Sequence, residues 1–210
     1  MVRMALFALL GYLSGSVLYA NLALALFGKQ GALEKSCDRN PGTANAFQYG
    51  GFTCGVLTLA GDLLKGYLPV HLYLGGTLAS AFAGPEAPAW ALTLVLVAPV
   101  LGHVFPCLHH FHGGKGIAAT FGCLLGLAPD FLPLFAFAAV FIFFSTVIRI
   151  SPDFYRTIAA YLATAIVLGF IHPNLAVRLG FYLITGAVCW RMYRSDEQRE
   201  KMKVRILWKH

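Results

Sequence analysis

Long apolar stretches alternate with short polar segments along the whole chain. The apolar stretches cover residues 4–27, 52–80, 87–108, 117–128, 131–148, 157–171 and 175–193. Most of them approach or exceed the roughly 20 residues that a helix needs to cross the hydrocarbon core of a membrane, and the short fourth stretch is expected to tilt. The pattern therefore predicts an all-α integral membrane protein whose residues 1–193 form a bundle of seven transmembrane helices.

The composition supports this class and excludes a soluble domain. Of the 210 residues, 58% are hydrophobic and only 12% are charged, whereas about a quarter of the residues in a soluble domain are charged. The first apolar stretch is longer than the apolar region of a signal peptide and lacks a small-residue cleavage site. We therefore expect it to remain in the protein as the first span.

The positive charge is distributed unevenly between the two sides of the predicted bundle. With seven spans, the loops 28–51, 109–116 and 149–156 and a basic tail, 194–210, share one side. That side carries Lys29, Lys35, Arg39, Lys115, Arg149, Arg156, Arg191, Arg194, Arg199, Lys201, Lys203, Arg205 and Lys209, against Arg3 and Arg178 on the other. The positive-inside rule then places the C-terminus in the cytoplasm and the N-terminus outside. This is the arrangement of a multi-pass membrane protein whose basic side faces the cytoplasm, and it gives no indication of a nucleic-acid partner.

The cysteines and histidines do not form a metal-binding pattern. The five cysteines are scattered without a CxxC pair, and His103, His109, His110 and His112 have no acidic or thiolate partner at ligand spacing. We expect no disulfide framework, no metal and no cofactor.

A glycine-rich loop with one lysine, FHGGKGIAAT, lies between the third and fourth apolar stretches. Glycines allow backbone N–H groups to converge on an anion, and the Lys115 ammonium can complete such a cradle. The alternative is a turn between helices whose lysine reaches the membrane surface. The predicted cytoplasmic position, shared with the other polar segments, favours an anion site.

Three further segments on or near the same side carry polar chemistry. The loop SCDRNPGTANAFQYGG is rich in asparagine and glycine, which either hold a compact turn or donate to a phosphate. Asp62 and Lys65 of GDLLKG are three residues apart on one helical face and form either a structural pair or part of a site. RISPDFYR offers Arg149 for phosphate recognition, whereas Arg156 taken alone is interpreted as an anchor at the membrane surface.

Several of these segments occur together in a known family. GSVLYANL, NPGTANAFQYGG, DLLKGYLPV, GHVFPCLHHFHGGKGIAAT and RIS follow one another along the chain. In this order they resemble the PlsY-type family of bacterial acyl-phosphate:glycerol-3-phosphate acyltransferases, over almost the whole chain and most specifically in the GHxFP…GGKG block. The resemblance implies seven helices, an active site at the cytoplasmic face, and transfer of a fatty acyl group from acyl phosphate to the 1-hydroxyl of glycerol 3-phosphate, which gives lysophosphatidic acid.

The resemblance also implies a set of site residues. The glycine–lysine loop, the asparagine–glycine loop and the serine after the fifth span of the family match residues of this chain. We expect Lys115, His103 and Ser151 to act in catalysis, and Asp38, Arg39, Asn40, Gly42, Asn45, Lys65, Gly113, Gly114, Gly116 and Arg149 to bind the substrates.

The chain departs from the family pattern at four places. It has Asp38 where the family has serine, Ala44 before Asn45 where the family has threonine, Gln48 where the family has arginine, and YRSD at 193–196 where the family has HREN. Arg39 could restore the cation missing at position 48. The acceptor is therefore either glycerol 3-phosphate or another small molecule.

The expected chemistry needs charge stabilisation more than a strong nucleophile, because an acyl phosphate is already activated. Lys115, the N–H groups of the glycine loop and Arg149 would neutralise the leaving phosphate. His103, Asp38 and a phosphate of the substrate remain alternative bases. A transporter or a non-catalytic subunit of a lipid-synthesis complex is the other class of function, although no internal repeat typical of transporters is evident. We expect acyl phosphate and glycerol 3-phosphate as substrates, the lipid bilayer as surroundings, and a monomer.

Overall fold

The computed structural model describes residues 1–36, 38–75, 88–195 and 201–207. Helices form most of the regular structure in these ranges. In chain order the elements are α1 (Val2–Gly15), α2 (Tyr19–Leu26), α3 (Thr43–Asn45), α4 (Phe52–Leu74), α5 (Ala89–Val104), α6 (Ile117–Leu125), α7 (Leu132–Thr146), β1 (Ile148–Ser151), α8 (Asp153–Ile171), α9 (Leu175–Tyr193) and β2 (Lys203–Ile206). Short 3₁₀ turns occupy Ala32–Lys35 and Cys107–His109, and a π-helical segment, Ala46–Gly50, continues α3.

The helix α5 lies at the centre of the bundle, where it packs against α1, α4 and α9. It is apolar apart from Thr93 and His103, and Val95, Leu96 and Val100 are completely buried. α1 approaches it through glycine, because a Cβ added at Gly15 would overlap the main chain of Pro99. Small residues at crossings allow helices in a membrane protein to pack closely.

The first apolar stretch forms two helices rather than one. α1 and α2 meet at an angle of 43° across a short break. Carbonyl groups freed by such a break need a new donor in an apolar setting. The Lys65 Nζ of α4 supplies one, at 2.8 Å from the Val17 carbonyl oxygen.

The exterior of the bundle is apolar. Large side chains such as Phe135, Ile166 and Phe170 point outwards, and Phe170 is 87% exposed. An apolar surface of this extent fits lipid rather than water. Within the described residues, the stretches Trp90–His109, Asp153–Ile171 and Leu175–Tyr193 are long and apolar enough to cross a membrane, and the bent pair of α1 and α2 would be a fourth span.

The fold is helical, as expected, with the addition of one short β-ribbon. β1 and β2 form a two-stranded antiparallel ribbon in which Ile148 pairs with Ile206 and Ser151 pairs with Lys203. Ile148 and Ile150 are β-branched, which favours an extended backbone over the helical one. The ribbon joins the basic tail to the segment that precedes α8.

Candidate active site

The described residues enclose a cavity of about 630 Å³ between the loop 38–48 and helices α4, α6, α7 and α8. One end is polar and the wall that continues from it is apolar. The polar end includes Asp38, Asn40, Gly42, Asn45, Gln48, His103 and Lys115, and the apolar wall includes Leu59, Leu63, Ile117, Phe121, Leu125, Leu134 and Phe141. Such a cavity is shaped for a ligand with an ionic head and a hydrocarbon chain.

Lys115 meets an acidic partner at the polar end. Its Nζ lies 3.0 Å from the Asp38 Oδ2, and both side chains are 15% exposed. The Asn45 Nδ2 donates to the Asp38 Oδ1 at 2.7 Å, and the Asn40 backbone N–H donates to the same oxygen at 3.2 Å. Partial burial raises the pKa of Asp38, but the amide hydrogen bond and the nearby ammonium outweigh it, so the pKa lies below its ordinary value.

The glycines around Lys115 allow the loop to pack closely against the end of α5. A Cβ at Gly113 would overlap the His103 carbonyl oxygen, and one at Gly114 would overlap the His103 ring. Gly116 has φ +81°, a conformation that glycine adopts without strain. The Arg191 side chain of α9 donates to the Gly113 carbonyl at 2.9 and 3.2 Å. Gly113 and Gly114 therefore have a packing role here, while Gly116 and Lys115 line the cavity.

A buried charged cluster, of which Asp62 and His103 line the cavity and Lys65 does not, lies at its inner wall. The Lys65 Nζ is 2.7 Å from the Asp62 Oδ1 and 2.6 Å from the His103 Nδ1, in addition to its contact with Val17. An ammonium group has three donors and no acceptor. The His103 Nδ1 is therefore an acceptor, which assigns the ring proton to Nε2.

This geometry corrects the roles expected for two residues. Lys65 is completely buried and does not line the cavity, because its three donors are directed into the bundle. His103 does line the cavity. With the proton assigned to Nε2, its Nδ1 lone pair accepts from Lys65 and its Nε2–H is a donor, so in this tautomer the ring offers no lone pair to a substrate hydroxyl.

The comparisons with known proteins identify the family. A family model described as glycerol-3-phosphate acyltransferase matches residues 5–202. The chain belongs to this family. Proteins named glycerol-3-phosphate acyltransferase from Pseudomonas aeruginosa (strain LESB58) and Azotobacter vinelandii are 34% and 38% identical to it, each over 89% of this chain and 90% of the relative.

Solved structures give the same fold. The glycerol 3-phosphate form of PlsY (YgiH), described as an integral membrane glycerol 3-phosphate acyltransferase, superposes with a TM-score of 0.72 at 24% identity, covering 90% of this chain and 88% of that one. The lysophosphatidic acid form superposes with a TM-score of 0.69 at 26% identity, covering 90% and 87%. The expected seven spans and the orientation of the termini are not tested by this likeness of fold.

Three other residues expected in the acyltransferase site lie elsewhere. Arg149 lines a separate cavity of about 560 Å³ beside β2, because alternate residues of β1 face opposite sides of the ribbon. Ser151 donates from its Oγ to the Lys203 carbonyl at 3.5 Å. Arg39 is exposed, with φ 45°, and does not line the cavity.

The structure adds residues that the sequence reasoning did not select. Asp153, Arg156 and Thr157, from the first turns of α8, line the main cavity, whereas Arg156 was interpreted as a surface anchor. Arg191 lies at the polar end beside Asp38 and Lys115, where all three line a small cleft. The i, i+3 and i+4 spacing of residues 153, 156 and 157 could have indicated a shared helical face.

Proposed function

We propose that this protein is a membrane acyltransferase that moves a fatty acyl group from acyl phosphate to glycerol 3-phosphate, giving lysophosphatidic acid. Membership of the glycerol-3-phosphate acyltransferase family supports the reaction class. The observation that carries the proposal is the cavity in which a polar end that contains Lys115 continues into an apolar wall. The phosphate groups of both substrates would bind at the polar end, and the acyl chain would lie along the wall formed by residues such as Phe121, Leu134 and Phe141.

The proposed step is a direct transfer. The hydroxyl oxygen of glycerol 3-phosphate attacks the carbonyl carbon of the acyl phosphate, and a new C–O ester bond forms. The bond between that carbon and the phosphate oxygen breaks, and inorganic phosphate leaves with the electron pair. Holding both reactants in one cavity supplies much of the acceleration, because it removes the need for a productive encounter in solution.

Lys115 is the proposed charge-stabilising group. Its ammonium lies at the polar end, and its pairing with Asp38 shows that an anionic oxygen can reach it. Ile117 and Ala118, the first residues of α6, also line the cavity, and the N-terminal end of a helix favours anions. Preorganised donors of this kind usually lower the barrier to acyl transfer more than any other single effect.

We assign the proton of the attacking hydroxyl to a phosphoryl oxygen of the bound substrate. The His103 ring offers no free lone pair in the assigned tautomer, and the Asp38 carboxylate already accepts from Asn45 and pairs with Lys115. A phosphoryl oxygen is present in the same cavity in every productive complex. Substrate-assisted deprotonation therefore requires no further side chain.

We further propose that the protein crosses the bacterial cytoplasmic membrane seven times, with the N-terminus outside and the C-terminus in the cytoplasm. The skew of lysine and arginine supports this orientation. The polar end of the cavity is formed by segments that the orientation assigns to the cytoplasm, including the loop 38–48 and the Lys115 loop. The proposed site then faces the cytoplasm, from which soluble glycerol 3-phosphate and the phosphate group of the acyl phosphate can both reach it.

The direct experiment uses the purified protein in detergent or nanodiscs with palmitoyl phosphate and glycerol 3-phosphate. We expect lysophosphatidic acid and inorganic phosphate in equal amounts, with product mass confirming a single acyl group. Palmitoyl-CoA in place of palmitoyl phosphate serves as the donor control. Absence of lysophosphatidic acid with palmitoyl phosphate would exclude the proposed reaction, whatever palmitoyl-CoA gives.

A different small acceptor is the second candidate, and one observation favours it. Asp38 occupies the neighbourhood of Lys115, and Gln48 lines the same cavity without a charge. An anionic acceptor meets repulsion from this carboxylate, whereas a neutral or cationic acceptor does not. A panel of alcohols and amines offered with palmitoyl phosphate, read by product mass, distinguishes the two candidates.

A further inference from the structure

The segment 149–156 carries two arginines seven residues apart, Arg149 and Arg156, and they line different cavities. Arg149 lies on β1 directly opposite Arg205 of β2 and borders the smaller cavity. Arg156 lies in the first turn of α8 and borders the main cavity together with Lys115. The main cavity therefore contains a second cationic side chain.

The contacts of Arg156 leave much of its guanidinium uncommitted. Its Nη2 lies 2.8 Å from the Asp153 Oδ1, and its side chain is 21% exposed while that of Asp153 is 59% exposed. Its guanidinium carbon is 5.9 Å from the centroid of the Phe141 ring, and its Nε is buried without an acceptor among the described residues. A guanidinium has five donors, and a solvated carboxylate one turn away holds it weakly.

The other charged groups at the cavity have partners that are more deeply buried. Lys115 pairs with Asp38 where both side chains are largely buried, and Asp62 pairs with the completely buried Lys65. Arg156 differs because its carboxylate partner is the most exposed of the three. Of the cations that line the cavity, Arg156 is therefore the one whose ion pair an incoming anion can most easily replace.

The proposed reaction, on which this inference rests, brings two phosphoryl groups into one cavity. Two such groups on a single lysine would repel each other. We propose that Arg156 forms a second phosphoryl-binding position, in which its guanidinium leaves Asp153 and donates to two oxygens of one phosphoryl group. Lys115 holds the other group, and two-point donation is the geometry that arginine provides and lysine does not.

The test compares the purified wild-type protein with Arg156→Gln, Arg156→Lys and a matched control, Arg178→Gln. Arg178 also contacts α8, through the Gly169 carbonyl at 3.3 Å, but does not border the cavity. We expect Arg156→Gln to raise the KM of one phosphorylated substrate at least tenfold with kcat within threefold, Arg156→Lys to lie between, and the control to stay within twofold. The substrate whose KM rises, glycerol 3-phosphate or acyl phosphate, identifies the group that Arg156 holds. KM values within twofold of wild type for both substrates would overturn the proposal.

Two further measurements keep the result decisive. Asp153→Asn frees Arg156 without removing it and should lower the same KM two- to threefold. If Arg156→Gln fails to fold, an unchanged KM in Asp153→Asn overturns the inference.

Equilibrium binding of glycerol 3-phosphate and of a non-reacting acyl phosphonate separates this inference from the proposed function. Tenfold weaker binding of one ligand by Arg156→Gln supports the second position even if wild type transfers no acyl group. Equal binding of both ligands rejects it even if transfer occurs.

Discussion

The ion pair between Asp38 and Lys115 predicts that the wild-type protein binds glycerol 3-phosphate more weakly than a variant without the carboxylate. The phosphate would have to share Lys115 with Asp38 or displace it. Asp38→Asn is the cleanest perturbation, because an asparagine oxygen can still accept the hydrogen bond that Asn45 donates at 2.7 Å. Asn45 also keeps its contacts with the Asn40 carbonyl and the Ser36 Oγ, so we expect the loop to retain its shape.

The magnitude follows from the position of the carboxylate. Asp38 Oδ2 is 3.0 Å from Lys115 Nζ, so a phosphate that contacts the lysine comes to lie beside Asp38. Two unit charges about 5 Å apart repel by about 0.8 kcal/mol in water and by about 3 kcal/mol at an effective dielectric constant of 20. A value between these limits, about 1.4 kcal/mol, corresponds to tenfold in affinity. We therefore expect Asp38→Asn to lower the KM for glycerol 3-phosphate about tenfold.

The assay measures lysophosphatidic acid formation at saturating palmitoyl phosphate while glycerol 3-phosphate is varied. Adding Gln48→Arg, or using Asp38→Ser with Gln48→Arg, places a cation at a position that already lines the cavity and should lower the KM at least as far. Glu34→Gln, an exposed carboxylate in the turn Ala32–Lys35, is the matched control and should change the KM less than twofold. An unchanged or higher KM in Asp38→Asn refutes the reasoning, and loss of a different acceptor in this variant would favour the second candidate function.

Three more outcomes are expected. Lys115→Ala should reduce acyl transfer by at least about a hundredfold, the usual loss for one preorganised donor, with expression unchanged; activity within threefold of wild type would remove Lys115 from the site. In intact cells, a membrane-impermeant thiol reagent should label Glu86→Cys, which lies outside the described residues, and leave Lys203→Cys unlabelled; the reverse pattern contradicts the orientation. Because the pKa of Asp38 is depressed in the folded state, its ionisation stabilises the fold above the ordinary carboxyl pKa of about 3.9, and this contribution disappears as the pH falls through the lower folded value. The difference in unfolding temperature between wild type and Asp38→Asn should accordingly shrink below about pH 4, and a constant difference would count against the ion pair.

The sequence predicted the helices and the proximity of two distant loops. The helices follow from local apolar runs, and the proximity of the loops follows from the distribution of cations along the chain. Apolar runs specify helices in lipid, and the spacing of Asp62 and Lys65 predicts the pair that forms at 2.7 Å. The confinement of cations to the predicted cytoplasmic loops suggested that the loop at residue 38 and the loop at residue 115 serve one site. In the structure Asp38 and Lys115 are in contact, 77 positions apart.

Other features could not be predicted, because they depend on contacts between distant segments. The break between α1 and α2 lies inside a continuous apolar run, so the sequence did not indicate that Lys65 would be directed to Val17. The partition of Arg149 and Arg156 depends on β1, a four-residue strand whose partner begins more than fifty residues later. Strands this short carry little signal of their own, and the partner sequence, KVRI, is equally brief.

The ribbon between β1 and β2 sets the order in which the molecule can be completed. Ile148 and Ile206 are 58 residues apart, and the two helices α8 and α9 lie in the loop that their pairing closes. This pairing requires that both helices have left the ribosome and that residue 206 has been synthesised. The segment that precedes Arg156 therefore acquires its strand partner only after α8 and α9 have been synthesised. A nascent chain stalled before β2 has emerged would have its helices inserted, but β1 would still be unpaired.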